Sequence, residues 1–140
     1  GQGTGHCRMK EAERDAYIAY RIEHASEALE EARLLLDADK LRGSVNRAYY
    51  AMFYAVGALA LSKSFSPSSH GQLRGFFNRE FVKTGLIPVD IGRAYGAAFD
   101  SRSKGDYQDL AQFETEQVVQ MLSDAERLIE ACKALLEKGG

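Results

Sequence analysis

Apolar residues return at helical intervals through almost the whole chain. The first such run, from about Lys10 to Leu36, carries Tyr17, Ile18, Ile22, Ala25, Leu29, Ala32, Leu35 and Leu36, with Glu23, Glu27, Glu30, Glu31 and Arg33 on the opposite side. Asp37-Ala38-Asp39 ends it, and a second helix is predicted over about Leu41 to Ser62. Two start signals compete in the loop that follows: Ser66 before Pro67, and Ser69 with Gln72 three residues on, a capping box. The third helix covers about His70 to Lys83, burying Leu73, Phe76, Phe77, Phe81 and Val82, and Thr84-Gly85 stops it. Pro88 opens a fourth, with Asp90 in its first turn and Ile91, Ala94, Tyr95, Ala98 and Phe99 inward. It is expected to end near Ser103-Lys104-Gly105. The polar link Asp106-Tyr107-Gln108-Asp109 then leads to a last helix, capped by Asp109 and reaching about Glu137. Its stripe is Phe113, Val118, Leu122, Ala125, Ile129, Cys132, Leu135 and Leu136.

About five helices joined by short connections predict an all-α fold, a single-domain antiparallel helical bundle. The two longest helices, first and last, are expected to pair, with the shorter ones packed across them.

The second helix breaks the usual pattern. At about 100° per residue, Val45, Ala48, Tyr49, Met52, Val56, Leu59 and Ala60 share one face and form a core stripe. Gly43, Asn46, Arg47, Tyr50, Tyr54, Gly57 and Leu61 share the other, where a surface helix would carry Lys and Glu. Aromatic residues and glycines there imply packing on two sides, or a site.

Composition narrows the choices. The chain has 140 residues, two prolines and no Asn-Gly or Asp-Gly hairpin signal, which suits one helical domain. A net charge of -2 gives no general attraction for nucleic acid, so RNA binding must rest on a local patch. No stretch approaches the roughly 20 apolar residues of a membrane span, and no secretory signal is visible. Cys7 and Cys132 show no metal-like spacing, and Cys132 falls on an apolar stripe as a buried thiol; a reducing cytoplasm fits. Residues 1–8 read as a flexible leader, native or appended, with Met9 a candidate native start and residues 9–138 as the bundle.

Arg47 and Tyr54 are separated by two helical turns, about 10 Å along one face, with Tyr50 between them and Asn46 alongside. A guanidinium there can hold a phosphate in a fork of two hydrogen bonds, and tyrosines can stack bases or donate hydroxyls. The alternative is structural: Arg47 pairs with a carboxylate such as Asp100 or Asp106, and the tyrosines fill a groove. His70 reads as a capping or surface residue and His24 as solvent-facing. Arg74, Arg79 and Lys83 form a basic strip whose default is a solvated face. No metal site, glycine-rich phosphate loop or cofactor is indicated.

The run Asn46 to Ala55, NRAYYAMFYA, resembles the signature helix of the HEPN domain family (higher eukaryotes and prokaryotes nucleotide-binding). Residues 66–87, SPSSHGQLRGFFNREFVKTGLI, resemble its middle helices, and Arg102 to Gln108, RSKGDYQ, resembles an arginine and Asp-Tyr pair before the last helix. The resemblance covers about Ala16 to Leu136. It implies a bundle that dimerises through the signature helix, here Gly43, Tyr50, Tyr54 and Gly57. It also implies a nucleotide- or RNA-binding face of Asn46, Arg47, Tyr50, Arg102, Asp106 and Tyr107. Many small stand-alone members are encoded beside a minimal nucleotidyltransferase, in toxin–antitoxin-like pairs. Many are metal-independent ribonucleases with Arg-x(4–6)-His on the signature helix. In this chain the matching position after Arg47 holds Tyr54, and phenol, with a reference pKa of about 10, is a poor base at neutral pH. Three expectations follow: a homodimeric module paired with a nucleotidyltransferase, a ribonuclease using Arg47 with Tyr54 as catalytic residues, or an assembly scaffold.

Overall fold

The computed structural model describes the backbone of residues 2–107 and 112–139 and the side chains of residues 11–102 and 112–139. Five helices account for the fold: α1 (Gln2–Asp37), α2 (Leu41–Ser62), α3 (His70–Phe77), α4 (Val89–Tyr107) and α5 (Thr115–Gly139). No strand occurs among the described residues, so the predicted all-α bundle is the observed class. The proposed cap Asp109 lies outside the described residues.

Two tight turns bracket α2, each built by a non-glycine residue in the left-handed region. Asp39 has φ 60° and Ser64 φ 59°. After α1, Asp39 N–H donates to the Leu36 carbonyl at 2.9 Å and Lys40 N–H to Leu35 at 2.8 Å. After α2, Ser64 N–H reaches Leu61 at 2.9 Å and Phe65 N–H reaches Ala60 at 2.9 Å. Both are Schellman closures, which satisfy carbonyls a helix end would otherwise leave open.

Ser69 wins the competition to start α3. Its side chain accepts from Gln72 N–H at 3.1 Å, while Gln72 Oε1 accepts from Ser68 N–H at 2.8 Å. Beyond Phe77 the backbone widens into a π-helical turn, Asn78–Val82. That turn sets the Phe81 ring 6.0 Å from Phe76 and 6.2 Å from Phe77, and Phe76 stacks on Phe65 at 4.1 Å. Gly85, at φ 83°, then reverses the chain, a backbone angle that suits glycine.

α2 is the axis of the molecule. It contacts each of the other four helices, and every residue from Ala55 to Ala60 is buried. A helix apolar all round belongs in an interior, and its alanines let neighbours approach closely. Ser44 is fully buried, and its hydroxyl donates to the Ala32 carbonyl at 2.8 Å. The predicted pairing of the first and last helices exists but is secondary, because α1 packs most extensively on α2. α5 contributes Val118, Leu122, Ala125, Leu128, Ile129 and Cys132 to the core. Exposed ion pairs tie its outer side to α1 (Arg33–Glu126, 3.0 Å) and α4 (Arg127–Asp90, 2.7 Å).

α1 begins well before the expected Lys10. α4 likewise runs through Gly105 to Tyr107, past the expected stop. One glycine inside a helix costs only about 1 kcal/mol, which is too little to end it alone. No described helix is long and apolar enough to cross a membrane.

Candidate functional site

The outer face of α2 becomes a site because three other helices deliver side chains to it. Arg47 lies 5.0 Å from the centre of the Tyr50 ring, and its Nε and Nη2 donate to Asn46 Oδ1 at 3.3 and 3.1 Å. Asn46 thus orients the guanidinium without neutralising it. Neither carboxylate considered from the sequence is seen holding it: Asp100 sits 3.5 Å from Arg74, and the Asp106 side chain lies outside the described residues.

From α4, Arg102 approaches the same tyrosine. Its Nη2 donates to the Tyr50 hydroxyl at 3.3 Å, and its guanidinium carbon lies 5.7 Å from the Tyr50 ring and 5.5 Å from Tyr49. Two permanent cations from different helices therefore meet at one half-buried ring, held in place by cation–π attraction. The Asp106 and Tyr107 positions follow on the last turn of α4, where the polar link was expected, with side chains outside the described residues.

From α3 comes His70, the first residue after the Ser69 cap. Its Nδ1 lies 2.9 Å from the Tyr49 hydroxyl, and its ring stacks on Phe53 at 4.3 Å, edge-on to Tyr50 at 6.1 Å. Burial, and after it the charge of Arg102, lower its pKa below the usual 6.5. A helix N-terminus disfavours the imidazolium further. Tyr49 itself is fully buried, and burial pushes its pKa up to about 12 despite the opposing pull of Arg102. The pair is neutral at pH 7: an imidazole fixed at one nitrogen by a phenol.

His70 is thus no surface cap. The sequence carried one usable signal: Tyr49 falls on the core stripe, and a buried hydroxyl requires a partner. His24 is corrected likewise. It faces α2, tilted against Tyr20 at 4.2 Å and edge-on to Tyr54 at 5.3 Å. Tyr54 also touches Tyr50 and Phe53, so an aromatic row joins His24 to His70 across the face.

Gly43 and Gly57 turn toward α1. A Cβ on Gly43 would meet the Leu35 side chain at 3.3 Å, and one on Gly57 would meet Arg21 Nη1 at 3.2 Å. Arg21 also donates to the Gly57 carbonyl at 3.3 Å. Their small size has an explanation inside one chain.

Of the basic strip, Arg79 and Lys83, beyond α3, stand on a solvated face, and Arg74 on α3 is half-buried. Arg74 lies over Phe99 at 5.1 Å, and Arg79 pairs with Glu80 at 3.3 Å. A cavity of about 610 Å³ lies elsewhere, between α4 and α5 beside Ala94, Ser101, Gln117 and Met121. It carries no cluster of cations or histidine, so the chemistry favours the Arg47 face over it. No three His, Cys, Asp or Glu among the described residues converge as metal ligands.

Known proteins resemble this chain over most of its length. A UPF0332 protein of Thermotoga maritima is 42% identical over 89% of this chain and 95% of its own. Two proteins of Methanocaldococcus jannaschii, each named "Putative toxin", are 32% identical. One match covers 84% of this chain and 87% of the relative, the other 72% and 69%. Residues 18–135 match the family model of the HEPN domain. With that match spanning the bundle and the site described above, the chain belongs to the HEPN domain family.

Proposed function

We propose that the Arg47 face binds the phosphates of RNA or a nucleotide. The observation that carries this reading is the convergence of Arg47 and Arg102 on the Tyr50 ring. Guanidiniums recognise phosphate oxygens in pairs, and the half-buried rings of Tyr50 and Tyr54 offer aromatic surface to bases. Asp106 and Tyr107, one turn beyond Arg102, complete the binding set on the last turn of α4.

The protein works as a homodimer in a toxin–antitoxin-like pair whose other member is a minimal nucleotidyltransferase. The names of the Methanocaldococcus relatives support the toxin side of that reading. The half-buried row of Tyr50 and Tyr54, continued on α1 by Tyr20 (55% exposed) and Tyr17 (61%), supports a second copy on this side of the bundle. Gly43 and Gly57 would serve that interface indirectly, by seating α1 close to α2. The buried free thiol of Cys132 suits a reducing cytoplasm.

Fluorescence anisotropy with a labelled single-stranded RNA tests the binding. Wild-type protein binds, Arg47→Ala weakens binding at least tenfold, and the affinity falls as salt rises. Equal binding by Arg47→Ala refutes the assignment.

A further inference from the structure

We propose that the α3–α4 side of the bundle docks an acidic amphipathic helix of a partner protein. Its anchor is an exposed apolar pair, Leu86 and Val89, set among cations that no described carboxylate of this chain neutralises. The surface shares no residue with the Arg47 face and does not need RNA on that face.

Leu86 is 53% exposed and Val89 54%, three residues apart where the chain turns into α4. From Val89 a groove of about 380 Å³ follows α4 to Asp100, with Arg74 and Val82 on its other wall. That stretch of α4 is about three turns, roughly 16 Å, enough to seat a short helix. Gly92 and Gly96, one turn apart, let the two walls close on each other. A Cβ on Gly92 would meet Val82 at 2.9 Å, and one on Gly96 would meet Arg74 Nη2 at 2.8 Å. Arg74 is thereby held against α4, with Phe99 at 5.1 Å. Its contact with Asp100, at 3.5 Å, is longer than a good hydrogen bond, so the guanidinium can still receive a second carboxylate.

Charge selects the occupant. Glu80 is engaged by Arg79, and Asp90 by Arg127. Lys83 and Arg93 are exposed and meet no carboxylate among the described residues. On a chain of net charge -2 this leaves a local positive excess around an apolar pair. An apolar centre with a charged rim is the anatomy of a protein interface, and acidic side chains are the complement that this rim selects. A nucleic-acid backbone would satisfy the cations but has no apolar side chains to cover Leu86 and Val89. A helix suits the groove because its anchors recur at i, i+3 and i+4 along one face. No strand edge exists among the described residues to pair with an extended segment.

The test selects binders to the full-length protein from a displayed library of random helical peptides about 14 residues long. The dominant peptides, resynthesised with a fluorescent label, should carry Leu or Ile at helical spacing with Asp or Glu alongside. Val89→Asp should weaken their binding at least tenfold, as should Lys83→Glu combined with Arg93→Glu. The charge variant carries the test by itself should Val89→Asp not fold, which its melting curve reads. Dominant peptides without acidic residues, peptides indifferent to these substitutions, or no binder at all overturn the proposal. Two further readings distinguish the other occupants. The combined Lys83 and Arg93 variant should bind single-stranded RNA within about twofold of wild type, and a loss like that of Arg47→Ala would assign the groove to nucleic acid instead. Val89→Asp should leave the mass by light scattering unchanged, and a fall would make this surface a contact between copies of the chain.

Discussion

The Tyr49 hydroxyl and Nδ1 of His70 lie 2.9 Å apart, joining the middle of α2 to the first residue of α3. Behind Tyr49, the parallel ring of Tyr95 stacks at 6.2 Å, and its buried hydroxyl interacts with the Tyr49 hydroxyl but makes no hydrogen bond of good geometry. The two tyrosines should therefore respond in opposite ways to loss of a single oxygen. Tyr49→Phe should cost about 1 kcal/mol in urea unfolding, while Tyr95→Phe should be neutral or slightly stabilising. Equal destabilisation by both would show that Tyr95 has a partner the geometry does not provide.

His70 also makes stability depend on pH. Its folded pKa is lowered, by burial first and Arg102 second, so the unfolded chain takes up a proton more readily than the folded one. Its contribution is complete above the unfolded value of about 6.5 and is lost as pH falls from there through the lower folded pKa. Melting temperatures from about pH 7.5 to 5.5 should fall more steeply for wild type than for His70→Asn. Parallel curves would show that the half-buried His70 does not set the pH dependence.

The start of α3 offers a local check. Ser69 accepts from Gln72 N–H, and Ser66 does not cap the helix. Ser69→Ala should cost about 1 kcal/mol and loosen His70, whereas Ser66→Ala should lie within about 0.5 kcal/mol of wild type. A larger effect at Ser66 would favour the rival start.

Assembly is testable in solution. Light scattering should give about twice the 15.5 kDa of one chain, and Tyr50→Glu, which buries like charges across a two-fold face, should shift the mass toward one chain. A wild-type monomer would separate the binding face from any dimer.

Much of this arrangement was legible in the sequence, and the limits are physical. α2 runs from Leu41 to Ser62 as read, because its apolar period is strong and both flanks are clear turns. Arg47 and Tyr50 stood out because a helical wheel is reliable within one helix. The wheel gives a direction but not a neighbour, so the face of Gly43 and Gly57 could not be matched to Leu35 and Arg21 of α1. His70 and Arg102 meet Tyr49 and Tyr50 across gaps of 21 and 52 residues, distances set by loop geometry and helix crossing. His24 was misplaced for the same reason: Glu23 and Glu27 beside it are exposed, but its own ring turns to Tyr54. The π-helical turn had no signal at all, since it arises from burying Phe76, Phe77 and Phe81 together.

RNA held on the Arg47 face would leave a local signature on that side of the bundle. Titrating a short single-stranded RNA into isotope-labelled protein, with NMR assignments for both faces, reads this directly. The account predicts that Arg47, Tyr50, His70 and Arg102 shift together and that Arg47→Ala abolishes the shifts. Shifts confined to Ala94, Ser101, Gln117 and Met121 around the α4–α5 cavity, or none anywhere, would contradict it.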